Sequence, residues 1–317
     1  MTAAMAPWVR TLRVGTRGSP LAMIQARGFI DLLQAVCPAA LELVPIRTTG
    51  DSVQDRRLAE IGGKGLFAKE IHEALSDGRI DFAVHSLKDL ETDLPPGIVL
   101  GCTLAREDPR DVLILAVHDA PVDPASPFTC LPTGAVVGTA SVRRQAQLLH
   151  ARPDVCIVTL RGNVDTRLRK LAAGGCAATV LAFAGLKRLG MAERADVVLD
   201  PDAMVPAAGQ GIVGITVRAD ATDLRALLAA IENQAARVAA TAERALLARL
   251  DGSCRTPIGA HARLLPDGGL HVTGLVARAD GAFLLRRGLR GTANDATLIG
   301  SELGARLRAD SPPDLFD

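Results

Sequence analysis

The sequence predicts an α/β protein with two similar units facing one cleft, followed by a small α+β tail. Strand-like and helix-like stretches alternate from residue 12 to about 217, the pattern of a largely parallel sheet with helical connections. The core must be aliphatic, because 48% of the residues are hydrophobic while the chain holds only 7 Phe, 1 Trp and no Tyr. The alternation also restarts: VGTRGS at 14–19 and VGTASV at 137–142 place a strand end, a glycine and a serine in the same order.

The elements follow in turn. LRVGT (12–16) reads as a strand; Ser19 then supplies a helix cap and Pro20 a first-turn proline, with Leu21, Ile24, Gly28, Leu32 and Val36 at helical spacing. LELVPI (41–46) is the next strand. The polar, glycine-bearing stretch 48–65 is long for a connection and is expected to act as a mobile lid. A helix at about 66–76 and a strand at 80–86 follow. After REDPRD (106–111) the second unit runs through strands at 134–139, 155–160 and 178–182, with helices opening at Ser141 and at NVDTR. MVPAAGQGIVGITV (204–217) is a glycine-marked bend into a buried strand, 222–250 is helical, and the tail from 251 has strand-like pieces with DGG and DG turns.

With 36 Lys and Arg against 35 Asp and Glu, the net charge of +1 argues against a polyanion binder. Stacking aromatics for nucleic acid are nearly absent. The longest apolar run, 176–186, is short of the ~20 residues that span a bilayer, and the start has no apolar stretch of signal-peptide length. These features predict a cytoplasmic protein with reduced thiols, five of its 6 cysteines filling apolar sites. Zinc-type spacing of Cys and His is absent, and no metal is expected.

The candidate chemistry is cationic and local. Arg17, Lys64, Arg143 with Arg144, and Arg161 with Arg167 sit at strand-to-helix junctions or in loops before helices. In α/β sheets ligands bind beyond the carboxyl ends of strands, where helix N-termini attract anions and arginine adds a fork matched to carboxylate or phosphate. Arg169 and Lys170 are expected in solvent. HSLKD (85–89) adds Asp89, an acid able to trade protons or balance a transient cation, while His85 reads as a core histidine. Cys254, in the turn GSCRTPIG beside Arg255, is a plausible reactive thiol.

The motifs TRGSPLA, TTGD, GGKGLFAKE, AVHSLKD, EDPRD, VGTASVRRQ, LRGNVDTRL, AGLKRLG, AAGQG and GSCRTPIG, in this order, closely resemble those of the hydroxymethylbilane synthase (porphobilinogen deaminase) family. The resemblance runs from about residue 12 to 300. It implies a transferase of tetrapyrrole (porphyrin and heme) biosynthesis that joins four porphobilinogen molecules head to tail onto a covalent dipyrromethane cofactor and then hydrolyses off the linear tetrapyrrole. It implies a thioether from Cys254 to that cofactor and a catalytic role for Asp89. Ser86, Lys88, Arg143, Arg144, Arg161 and Arg167 match cofactor-binding positions, and Arg17, Ser19, Lys64 and Arg188 match substrate-binding positions. The implied fold has two domains of the periplasmic-binding-protein type around a cleft, at 1–105 with 212–230 and at 106–211, plus a small C-terminal domain at 231–317. A monomer is expected.

Where many members carry proline after the equivalent of Leu90, this chain has Glu91, which is expected to alter local loop geometry and substrate affinity. A two-lobed binding protein for a small carboxylated ligand would use the same arginines but has no role for Asp89 or Cys254.

Overall fold

The computed structural model describes residues 10–52, 67–117, 123, 125–250 and 256–316. The chain divides into two compact units, one formed by 1–53, 65–105 and 212–237, the other by 54–64, 106–211 and 238–317.

The first unit is built on five strands, β1 (Leu12–Arg17), β2 (Leu41–Ile46), β3 (Phe82–Ser86), β4 (Ile98–Thr103) and β10 (Val213–Arg218). Their order is β2-β1-β3-β10-β4. β1 runs parallel to β2 and β3, and β10 runs antiparallel to β3 and β4. The helix Pro20–Gln34 forms because Ser19 caps it, accepting from the Ala22 amide, and Pro20 fills the first turn. It buries Ala26, Phe29 and Leu33 in an aliphatic core that includes Val14, Val84, Ile215 and Leu228, and also buries Ala22 and Gln25 nearer its start.

The second unit repeats the plan with β5 (Asp111–Leu115), β6 (Val136–Gly138), β7 (Cys156–Val158), β8 (Ala178–Ala182) and β9 (Val197–Val198), ordered β7-β6-β8-β5-β9. β6 is parallel to β7 and β8, while β5 is antiparallel to β8 and β9. The two VGT strands, β1 and β6, therefore hold the same place in their sheets. The same unit contains an antiparallel sheet of β11 (Ile258–Leu264), β12 (Gly269–Ala277) and β13 (Leu284–Thr292), with the helix Ala296–Ala309 packed on β12 and β13.

Four expectations need correction. The strands expected at 134–139 and 155–160 span only Val136–Gly138 and Cys156–Val158. The single helical stretch 222–250 is two helices, Thr222–Ala230 and Gln234–Arg249. Cys156 is exposed, whereas Cys37, Cys102, Cys130 and Cys176 are buried. β7 is the terminal strand of its sheet, so a residue that looks like core filler in sequence has solvent beside it.

Candidate active site

In the first unit, β1 and β3 are parallel neighbours, so their C-terminal ends open at one edge of the sheet. β1 ends in Arg17 and leads to Ser19; β3 ends in His85 and Ser86 and passes into the 3-10 turn Leu87–Asp89. A pocket at this edge is lined by Arg17, Ser19, Gln25, Phe67, His85, Ser86 and Asp89 among others. Ser86 Oγ lies 2.9 Å from Gln25 Nε2 and 3.0 Å from Gln25 Oε1. The Arg17 guanidinium carbon stands 4.0 Å from the centre of the Phe67 ring, a cation–π contact that orients the fork. Asp89 and Lys88 are exposed. Backbone bonds from Leu87 N to Ile212 O at 3.0 Å and from Leu90 N to Leu87 O at 3.1 Å hold the turn.

His85 is 7% exposed and its Nε2 lies 2.9 Å from Thr216 Oγ1. Burial first, then the neighbouring His72 and Arg17, push its pKa down to about 3, which keeps the ring neutral. Reading it as a core histidine agrees with this placement, although its ring also reaches the pocket wall.

In the second unit Ser141 caps the helix Val142–Ala151 by accepting from the Arg144 amide, so Arg143 and Arg144 fall in its first turn. Both are 5% exposed and converge on Asp111, which is 0% exposed. Arg143 Nη1 donates to Asp111 Oδ2 at 2.7 Å, Arg144 Nη2 to Oδ1 at 2.7 Å, and Gln210 Nε2 to Oδ1 at 2.9 Å. Burial works to raise the Asp111 pKa, but the two guanidiniums and the hydrogen bonds from Arg143 and Gln210 outweigh it and hold this carboxyl well below the usual range.

Arg161 precedes the helix Val164–Ala172, which Asn163 caps. Its Nη1 is buried with no hydrogen-bond partner among the described residues. Arg167 Nε donates to Gly162 O at 2.8 Å. Arg188 Nη2 donates to Gly211 O at 2.7 Å, and burial lowers its pKa against the opposing pull of Glu107. Arg169 and Lys170 are exposed. Lys64 and Cys254 lie outside the described residues, as does most of the stretch expected to form a lid.

Four of the expected residues, Arg17, Ser19, Ser86 and Asp89, thus share one pocket. Sequence reasoning missed Gln25 and Asp111. Each had a signal: Gln25 is a polar residue on the buried stripe of its helix, and Asp111 opens a strand whose other residues are all apolar.

A carboxylate and an arginine lining one pocket at a parallel sheet edge are the equipment of an α/β enzyme that handles an anionic substrate. The family description "Porphobilinogen deaminase, dipyromethane cofactor binding domain" matches residues 12–226, and "Porphobilinogen deaminase, C-terminal domain" matches 237–309. The chain belongs to the porphobilinogen deaminase family and has that transferase activity of tetrapyrrole biosynthesis, with a dipyrromethane cofactor. It is 46% identical over 313 residues to porphobilinogen deaminase of Nitratidesulfovibrio vulgaris (strain DSM 19637 / Miyazaki F), covering 97% of this chain and 96% of that protein. It is 48% identical over 309 residues to the Paracoccus denitrificans enzyme (96% of each chain) and 46% over 316 to the chloroplastic enzyme of Oryza sativa subsp. japonica (98% of this chain, 86% of that one). A solved structure of the Bordetella pertussis BvgS VFT2 domain is similar at 17% identity and TM-score 0.42, over 74% of this chain and 92% of that one.

The residues present fit the cofactor. Arg161 presents a buried guanidinium nitrogen with no hydrogen-bond partner among the described residues, a donor of the kind that suits a pyrrole-borne carboxylate.

Proposed function

We propose that the chain adds four porphobilinogen molecules head to tail to a dipyrromethane tethered through Cys254, then releases the linear tetrapyrrole by hydrolysis. It works as a monomer in the cytoplasm; no helix among the described residues is long and apolar enough to cross a membrane. We read 231–317 as the small domain that carries the tether. The observation that carries the mechanism is the pocket placing Asp89 with Arg17, Ser19 and Ser86.

When bound, the dipyrromethane supplies the free α-carbon to which the first pyrrole is joined. Ser86, Lys88, Arg161 and Arg167 would hold its acetate and propionate groups, helped by the one net positive charge that Arg143 and Arg144 keep after sharing the single Asp111 carboxylate, and Arg17, Ser19, Lys64 and Arg188 would hold those of the incoming porphobilinogen. Asp89 orients the aminomethyl group of the substrate. The C–N bond of the protonated aminomethyl group breaks, ammonia leaves with the bonding electrons, and the Asp89 carboxylate faces the ring N–H as positive charge develops there. Asp89 would also accept the proton that the substituted α-carbon gives up. Each ring brings two more carboxylates. Like charges a few ångströms apart repel by about 1 kcal/mol or more even at high effective dielectric, and successive guanidiniums offset this.

The test combines intact mass with turnover. The wild type should carry a dipyrrole increment that Cys254→Ala abolishes, while Asp89→Asn keeps the increment and turns over at least about a hundredfold more slowly. An unmodified wild type from porphobilinogen-making cells contradicts the tether, and near-normal turnover by Asp89→Asn removes this carboxylate from the chemistry.

A further inference from the structure

His72 lies on the helix Lys69–Ser76, outside the set that the mechanism uses. It is 4% exposed, and neither ring nitrogen has a hydrogen-bond partner among the described residues. An imidazole always carries at least one N–H, and burying that donor unsatisfied costs stability. Its position therefore calls for a compensating role.

Two groups from the catalytic segment act on this ring, one by contact and one by its charge. The His85 ring lies 5.7 Å away between centroids, tilted by 52°. The Glu91 carboxylate, with Oε2 buried, acts on it from the chain just beyond the 3-10 turn. Burial, the larger influence, pushes the His72 pKa down, and Glu91 pulls it back up. His85 precedes Asp89 by four residues and Glu91 follows it by two, so one imidazole packs on the near flank of the turn that presents Asp89 and feels the charge of the far flank.

The remaining surroundings are accounted for. Arg17, at the end of β1, acts on His85, and β10 offers it the Thr216 hydroxyl. On the helix of His72 itself, Glu70 accepts from the Thr49 amide at 2.9 Å, and Lys69 and Glu73 are exposed. Cys102 of β4 joins the core around Phe29, and Arg218 of β10 pairs with Asp220 at 3.1 Å.

We propose that His72 is a positioning residue for Asp89: as a neutral ring it wedges between His85 and Glu91 and fixes both flanks of the turn, and on gaining a proton it is drawn toward Glu91, displacing the turn and slowing turnover. The proposal rests on the reading of Asp89 given above.

The holoenzyme, with its dipyrromethane in place, is assayed from about pH 5 to pH 9 as wild type, His72→Phe and Glu91→Gln. Phenylalanine takes no proton, and without the Glu91 carboxylate the imidazole takes one only in stronger acid. In both variants the acid limb of kcat should move to lower pH, so that at the midpoint of the wild-type limb each keeps about threefold more of its pH 8 kcat than the fully protonated wild type does, with KM for porphobilinogen at pH 8 within about twofold. An NMR titration of the His72 ring in the wild type should give the midpoint of that limb.

A Glu91→Gln limb that superimposes on the wild type overturns the proposal, as does a His72 midpoint that lies away from the limb. Glu91→Gln preserves size and serves if His72→Phe does not fold. Normal turnover by Asp89→Asn would instead defeat the underlying reading of Asp89, whereas a slow Asp89→Asn with an unmoved Glu91→Gln limb defeats the role of His72 alone.

Discussion

Asp111 has no exposure to solvent and balances two guanidiniums that are themselves buried. Removing its charge leaves Arg143 and Arg144 uncompensated in a poorly solvated place, so Asp111→Asn should destabilise the fold by about 3–5 kcal/mol. The midpoint of urea unfolding at neutral pH measures it, and an unshifted midpoint contradicts the account. The sign with pH follows from the depressed folded pKa: the contribution is complete above the ordinary carboxylate range and is lost only as pH falls through the folded value. SVRR is legible in sequence as anion-seeking. The anion it holds is not, because Asp111 lies 32 residues before Arg143, and a pairing at that separation leaves no local pattern. Arg161 shows the other outcome, a guanidinium with one N–H that no described group takes up.

Short elements carry most of what was readable. Ser19 and Ser141 cap their helices as their sequence positions suggested, since a hydroxyl before an apolar-periodic run has one obvious use. The shared VGT strands likewise occupy matching places in two sheets of one topology. Element ends were less legible, because pairing with neighbours rather than propensity decides where β7 stops. The bend in AAGQG depends on tertiary contact: Gly211 has φ of 88°, and a Cβ there would collide with the Glu107 carbonyl. Gly211 O also accepts from Arg188. Gly211→Ala should therefore lower the melting temperature by at least about 4 °C, from about 1–2 kcal/mol of backbone strain plus the clash. A melting curve unchanged from the wild type would show that the bend relaxes freely.

In both units, burial makes several histidines harder to protonate than in the unfolded chain. His85 and His261 are pushed down to about 3, and His72 and His271 are also lowered, burial being the leading cause in each. An unfolded chain binds protons at these positions from about pH 6.5 downward, before the native protein does. Stability should consequently fall between about pH 7.5 and pH 5, above the range where carboxylates titrate. A urea midpoint that is flat across that interval would refute the histidine account. The placement of β10 has its own consequence for biosynthesis. β3 and β4 both pair with β10, and β10 leaves the ribosome after the whole 106–211 stretch. A nascent chain halted near residue 211 thus holds two unzipped strand borders in its first lobe, and translation must pass residue 218 before that lobe can close. During that interval a holdase chaperone would find an exposed seam.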